Sequence, residues 1–378
     1  MIVGVLGGGQ LARMLALAGT PLGLRFRCLD PSPDAVAGHV AELVVADYRD
    51  EAALARFVAG VQVVTFEFEN VPARAAQWLA EHATVAPVPR ALEIGQDRVF
   101  EKRLFASVGM ATAEHRAADT RAELHAAVAA VGAPCIVKTR RLGYDGKGQV
   151  RLVPVPSLSA AIDAAFDSLR PAESGGLVVE QMVAFDREVS VLAARNGRGE
   201  VMVYPLVENE HEGGILARSR APAPEVPEKL VREAGEFVSV LLRELDYVGL
   251  LAVEMFVKGD RWIANELAPR VHNSGHWTIE GAECSQFENH LRAILDLPLG
   301  STAMTAGGHA TMVNLIGSLP ARADVLAIPG VHLHAYGKAA RPGRKVGHAT
   351  ALAADRATAD ALCARVAALP RSSGSGLA

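Results

Sequence analysis

Apolar positions follow two rhythms along this chain. Near the start, Ile2–Leu6 is a short continuous apolar run, the mark of a strand buried on both faces, and Leu24–Leu29 and Val61–Phe66 also read as strands. Between the first two, Leu11–Ala18 repeats with helical spacing. Strands alternating with helices predict one doubly wound α/β unit over residues 1–92. Further on, Cys135–Val137, Leu177–Val179 and Ala310–Ile316 read as strands. Arg187–Leu192 alternates charged with apolar positions, and Val201–Val207 is its expected partner across Asn196-Gly197. Helical spacing marks Leu124–Val131, Leu230–Leu245 and Phe287–Leu295, and Asp97-Arg98 with Lys102 opens a helix through Ala106. Glu208–Gly214 reads as a polar loop and Pro222–Pro227 as a linker.

The most informative pattern is GLLAVEMFVKGDRWIANEL, Gly249 to Leu267: two apolar runs around Lys258-Gly259-Asp260, a hairpin signal. A three-residue loop at Gly259–Arg261 sets Glu254 opposite Glu266, with Val253, Met255 and Val257 sharing a face with Ile263 and Leu267. A two-residue loop would put the acids on opposite faces, so the odd-length loop is expected. Paired carboxylates repel unless a cation or proton lies between them. A hard, oxygen-liking ion such as magnesium, itself held by phosphates, meets that need. The second run then breaks at Pro269 into Arg270, His272, Asn273, Ser274 and His276, a density of hydrogen-bonding groups that marks a site.

Composition narrows the function. The 378 residues, enough for two or three domains, are 50% hydrophobic with a net charge of −4, which supplies no field for nucleic acid or an acidic membrane. No apolar run approaches the roughly 20 residues of a membrane helix. Cys28, Cys135, Cys284 and Cys363 lack metal-like spacing and are read as reduced thiols of a cytoplasmic protein. The chain enters a strand at once without a basic leader, so secretion is not expected. The Ser/Gly-rich residues 371–378 are expected to be a disordered tail.

Three further segments carry candidate chemistry. Gly7, Gly9 and Ala12 fit G-x-G-x-x-G/A, and Asp30 ends the next strand. A dinucleotide site fits that pattern; so does a strand–turn–helix whose glycines serve geometry and whose helix N-terminus takes another anion. Glu67, at a strand C-terminus, is a candidate for a ligand hydroxyl or amine, or a solvated strand end. In KTRRLGYDGKGQ, Gly143, Gly146 and Gly148 stand among Lys138, Arg140, Arg141 and Lys147. Flexible glycine backbone with basic side chains is what a polyphosphate clamp needs, although the P-loop pattern is absent. A basic hairpin with a glycine turn is the alternative. Glu180-Gln181-Met182-Val183 could read an adenine edge. Lys338, Arg341, Arg344 and Lys345 crowd a Pro-Gly turn, as a solvated basic hairpin or as the grip on a second anion.

Together these segments carry a resemblance. GGGQL at Gly7–Leu11, TFEFENVP at Thr65–Pro72, KTRRLGYDGKGQ, EQMV at Glu180, NELAPRVHNSGHW and RPGRKVGH at Arg341–His348 span nearly the whole chain. In content and order they resemble the ATP-grasp enzymes and, within them, the 5-(carboxyamino)imidazole ribonucleotide synthase family. Leu142 departs, standing where the family often has a second glycine, and should stiffen the loop. The resemblance implies a mixed α/β and α+β ATP-grasp fold. Its parts are an N-terminal Rossmann-like (preATP-grasp) domain at 1–92, an ATP-grasp region at 93–305 with a lid at about 115–182 and a central ATP-binding domain, and a C-terminal β-rich segment at 306–370. It further implies an ATP-dependent carbon–nitrogen ligase of purine (IMP) biosynthesis. Such a ligase carboxylates 5-aminoimidazole ribonucleotide with bicarbonate through carboxyphosphate, releasing ADP and phosphate. Two magnesium ions, a cytoplasmic homodimer and hand-off of the product to a mutase belong to the same implication.

The resemblance also implies roles. Arg98 and Lys138 contact the ATP phosphates, and Gly143, Tyr144, Asp145, Gly146, Lys147, Gly148 and Gln149 close over them, Tyr144 and Asp145 also nearing the acceptor. Glu180, Gln181, Met182 and Val183 hold adenine, Glu188 holds ribose, His211 and Asn265 lie by the nucleotide, and Glu254 and Glu266 bind magnesium. Arg270 stabilises the transferring phosphoryl group or bicarbonate, and His272, Asn273 and Ser274 line the reacting centre. Gln10 and Glu67 face the acceptor, whose phosphate Lys338, Arg344 and Lys345 grip. Asp145 or His272 accepts the amine proton. Three rivals are weighed. The HNSGHW and RPGRKVGH segments argue against other ATP-grasp ligases, such as a formate-using transformylase or a biotin carboxylase. A nicotinamide-dependent oxidoreductase rests on Gly7, Gly9, Ala12 and Asp30 and leaves the basic loop and paired acids unexplained. A catalytically dead regulator should lack a magnesium acid or loop lysine, and none is missing.

Overall fold

The computed structural model describes residues 1–143, 146–305 and 308–371. Its strands form three sheets. The first is parallel, ordered Glu42–Val45, Arg25–Asp30, Ile2–Leu6, Val63–Phe66. Ile2–Leu6 is flanked on both sides, and Val3, Val5 and Leu6 are fully buried, which is why its sequence lacks polar alternation. Helices Gln10–Gly19 and Glu51–Val58 return the chain between strands, the latter capped by Asp50.

The second sheet is small and antiparallel: His115–Ala118, Leu177–Gln181, Cys135–Thr139, Gln149–Leu152. Helix Arg121–Val131, opened by a Thr120/Glu123 capping box, packs Leu124 and Val128 against its Val137 and Leu177. The glycine segment is therefore the connection of a hairpin between two of these strands.

The third sheet has nine strands. Its main path runs Arg261–Ala268, Gly249–Lys258, Arg187–Arg195, Val207–Glu212, Ile215–Ala221, His309–Ile316, Lys345–Ala353, Val331–Ala335. Pairing of Ile215–Ala221 with His309–Ile316 makes the C-terminal strands an extension of the central sheet. Glu208–Gly214, expected as a loop, is mostly strand. Its charges are matched across strands by Arg187, Arg218 and Arg220, so pairing there rests on ion pairs rather than apolar burial. Val201–Val203 pairs with Arg187–Arg195 as expected, and Val207, which begins a separate strand, pairs with Ser190 of that same strand.

The acid-bearing hairpin forms by a different route from the expected one. Lys258 pairs with Arg261, so the turn holds only Gly259-Asp260. Met255 pairs with Ala264 but Glu254 with Glu266, and the extra residue, Asn265, is a bulge that restores the acids to one face. Ile263 consequently pairs with Phe256 on the acids' side. Trp262 and Ala264 instead join Val253, Met255, Val257 and Leu267 in the buried layer against helix Glu228–Glu244. Each such side chain, fully buried, contributes roughly 1.5–3 kcal/mol, enough to pin the register beneath two repelling acids.

Candidate active site

Helix Arg98–Ser107 ties the small sheet to the central one. Arg98, Glu101 and Lys102 lie on one helical face by their i, i+3, i+4 spacing. Arg98 Nη1 lies 3.4 Å from Glu266, and Glu101 accepts a 2.5 Å hydrogen bond from the Leu267 amide. Lys102 and Lys138 approach the two oxygens of Glu180 at 3.1 and 2.8 Å. Burial alone would raise the Glu180 carboxyl, but Lys138 and Lys102 hold it at about 2. Burial also draws the Lys138 ammonium down despite Glu180. Glu101 is lifted to about 8 by burial and by Glu266. Sequence reasoning missed Glu101 and passed over Lys102 as a helix-opening charge. The signal available was three charges on a single turn of a helix that also carries Val99, Leu104 and Phe105.

Beside this helix stand the paired acids. Burial, then Glu266, raises Glu254 to about 7. His211 Nδ1 lies 2.6 Å from Glu188; burial opposes its charge, but the Glu188 hydrogen bond and Glu254 raise it. His272 is held by its backbone, which exchanges two hydrogen bonds with the buried Gln286 side chain at 2.9 and 2.7 Å. The His272 Nδ1 accepts from the Ser274 amide, so the neutral ring carries its proton on Nε2, 3.6 Å from Glu254. Burial and Arg270 keep that ring neutral. The nitrogen free to take a proton is already bonded, which conflicts with His272 as the base. Asn273 and Asn314 exchange hydrogen bonds at 3.1 and 2.7 Å, so the Asn273 amide serves the join to strand His309–Ile316. Arg270 pairs closely with Glu69.

The glycine loop leaves strand Cys135–Thr139 and is closed by the Thr139 amide on the Gly148 carbonyl at 2.8 Å. Gly148 has φ +71, and a Cβ there would lie 2.7 Å from Thr139 Oγ1. Gly146 packs on the Gly213-Gly214 turn, and Gly143 lies beside the Arg98 guanidinium. Lys147 is exposed, and Gln149 begins the return strand. Leu142 takes φ 66, a left-handed conformation suited to the glycine it replaces. Tyr144 and Asp145 lie outside the described residues, as does the tail at 372–378. At the other end of the small sheet, the Gln181 and Met182 amides bond to the Glu114 and Pro134 carbonyls, so neither is open to an adenine. Phe185, exposed and stacked on Phe256 with ring centroids 4.5 Å apart, lies two residues past Val183 and was not foreseen.

On the far side, Lys338 bonds Gln10, bringing the two ends of the chain together. Arg344 and Lys345 enter strand Lys345–Ala353, and Lys345 is near enough to His211, Glu254 and His272 to act on their charge. Glu67 resolves the Gly7–Ala12 question differently from either expected reading. Its carboxylate accepts from the Gly9, Leu11 and Ala12 amides at 2.7, 3.2 and 3.2 Å. A Cβ on Gly7 or Gly9 would lie 2.3 Å from Glu67. The anion at this helix N-terminus is the protein's own, so the motif is neither a dinucleotide site nor an open anion site.

Two antiparallel sheets, a basic glycine loop on a hairpin of the smaller one and paired acids on a hairpin of the larger one are the architecture of an ATP-grasp ligase. Profile comparison agrees: the ATP-grasp domain matches residues 103–287, the ribonucleotide synthetase preATP-grasp domain residues 1–96, and the phosphoribosylaminoimidazole carboxylase C-terminal domain residues 310–362. N5-carboxyaminoimidazole ribonucleotide synthase of Pseudomonas aeruginosa is 50% identical over 98% of this chain and 99% of its own. The Brucella melitensis enzyme of that name is 46% identical over 92% and 95%. The crystal structure of the Thermus thermophilus synthetase superposes with a TM-score of 0.90 at 51% identity, covering 97% of this chain and 98% of that one. The Aspergillus clavatus synthase in complex with ADP and 5-aminoimidazole ribonucleotide gives 0.87 at 32%, covering 97% and 98%. The chain belongs to the N5-carboxyaminoimidazole ribonucleotide synthase family of ATP-grasp enzymes.

Proposed function

We propose that this protein couples cleavage of ATP to carboxylation of 5-aminoimidazole ribonucleotide. Bicarbonate is the carbon source, and N5-carboxyaminoimidazole ribonucleotide, ADP and phosphate are the products. The observation that carries the reading is the opposed pair Glu254 and Glu266 beside Arg98, under a loop flanked by Lys138 and Lys147. A facing, partly buried carboxylate pair with Glu254 raised to about 7 calls for a cation between its members. Among the described residues no three His, Cys, Asp or Glu side chains converge on a metal site, so the remaining oxygens would come from phosphates. Magnesium, held by Glu254 and Glu266, would neutralise phosphate charge during transfer.

The chain's own groups divide the remaining work. Arg98 and Lys138 offset charge on the phosphates, and the glycine loop covers them and excludes water from a labile carboxyphosphate. The Phe185–Phe256 stack just past Gln181–Val183 offers an apolar face for a purine, with Glu188 and His211 toward its ribose. Arg270, partly neutralised by Glu69, meets bicarbonate or the transferring group. Gln10, Lys338, Arg344 and Lys345 gather at the opposite end, where a ribonucleotide phosphate would sit. His272 donates from Nε2 and orients, which leaves the acceptance of the amine proton to Asp145. The test is incorporation of labelled bicarbonate into an acid-labile product. Incorporation requiring both ATP and 5-aminoimidazole ribonucleotide supports the reading; incorporation indifferent to the ribonucleotide sinks it.

A further inference from the structure

Asp97 has no place in the chemistry above, yet it is 1% exposed and fully engaged. One oxygen accepts from the Val99 amide and caps helix Arg98–Ser107. The same oxygen accepts from Arg140 Nε at 3.2 Å, and the other from Arg140 Nη2 at 2.8 Å and Arg141 Nε at 3.2 Å. Arg140 and Arg141 are the first two residues of the glycine loop, directly after strand Cys135–Thr139. The backbone repeats the join: the Arg98 amide donates to the Arg140 carbonyl at 3.1 Å, and the Arg140 and Arg141 amides donate to Gly176 and Ser174. Arg140 Nη1 also lies 3.8 Å from Asp119, at the end of a small-sheet strand.

Resting on the proposed reaction, we infer that Asp97 is a positioning residue: it latches the stem of the glycine loop to the helix that carries Arg98, Glu101 and Lys102. The geometry gives the latch its use. Arg98 lies beside Gly143 at the near side of the loop, while Gly146 rests on the Gly213-Gly214 turn at its far side. Fixing the stem by a two-pronged carboxylate–guanidinium bond sets where the loop begins relative to Arg98 and Glu266. A loop free at its stem would still bind ATP, but would close less completely and admit water to the acyl phosphate. Loss of the latch should therefore appear as uncoupling rather than as loss of the enzyme.

Asp97→Asn isolates this role, because asparagine caps helices as well as aspartate does while removing the charge that holds both arginines. Trypsin acting on the full chain reads the loop without any turnover: cleavage after Arg140, Arg141 or Lys147 should rise about tenfold in Asp97→Asn, with resistance elsewhere unchanged. In turnover, carboxylated product per ADP should fall at least about threefold, with a smaller change in KM for ATP. Arg140→Gln, which removes its own cleavage site and is read at Arg141 and Lys147, should reproduce both effects, and the double variant should add little to either. Wild-type cleavage and coupling in Asp97→Asn would overturn the latch, as would a loss of protease resistance spread evenly over the chain. Absence of carboxylated product from the wild type would refute the reaction instead, and the trypsin result would still judge the latch.

Discussion

Glu254 and Glu266 face one another on adjacent antiparallel strands although the turn between those strands holds only two residues. Asn265 makes this possible by adding one residue to the second strand. Because the bulge only absorbs Asn265, the pair is tested at the acid itself: Glu266→Gln should keep the bulged register while removing one of the two facing carboxylates. Magnesium-dependent ATP binding, read by calorimetry, should weaken at least about tenfold. Retention of wild-type affinity would mean the paired acids do not hold the metal.

Glu180 sits between two lysines with its carboxyl held at about 2, below its ordinary 4.5. A depressed carboxyl stabilises the fold above its unfolded pKa and loses that contribution as pH falls through the folded value. Burial's cost to Lys138 discounts the pair, but removing the acid alone strands two buried ammonium groups. Glu180→Gln should therefore cost about 3–5 kcal/mol near pH 7. The gap from wild type, measured by denaturant unfolding, should narrow between about pH 4.5 and 2. A gap constant over that range would remove the ion pair as its cause.

Glu67 satisfies three amides at the start of helix Gln10–Gly19. Glu67→Ala should destabilise the protein by about 2 kcal/mol or more through those unpaired donors. The loss should appear first as faster hydrogen exchange at Gly9, Leu11 and Ala12, detected by mass spectrometry of the N-terminal peptide. Unchanged exchange there would mean the carboxylate is free to serve the acceptor.

Leu142 holds φ 66 with its side chain 58% exposed. Leu142→Gly should relieve about 1 kcal/mol of backbone strain while loosening the unfolded chain by a similar amount. Thermal stability should stay nearly level while the loop, by trypsin cleavage after Lys147, becomes more mobile. A clear loss of stability would show that Leu142 packs in a way its exposure does not suggest.

How far the sequence could be read depends on what kind of signal each feature leaves. Ile2–Leu6 was legible because burial on both faces leaves an unbroken apolar run and helix Leu230–Leu245 because burial of one face imposes a period, and both form within two residues of expectation. The acid pair was legible in outcome but not in route, since a bulge at Asn265 leaves no trace in alternation. Glu208–Glu212 was misread because its strand is held by cross-strand charges, which look like a loop's polarity. The hold of Glu67 on the Gly9, Leu11 and Ala12 amides was not legible, because a glycine-rich helix start looks the same whether its anion is foreign or the chain's own. Asp97 and Gln286 act through partners 43 and 14 residues away, and no local spacing announces such contacts.

The central claim is tested most directly by phosphate release from ATP with magnesium and bicarbonate, with and without 5-aminoimidazole ribonucleotide. Strong stimulation by the ribonucleotide, lost when either bicarbonate or magnesium is withheld, is the predicted result. Release that ignores the ribonucleotide, in protein that still binds ATP, would contradict the assigned acceptor and leave only the ATP-grasp fold standing.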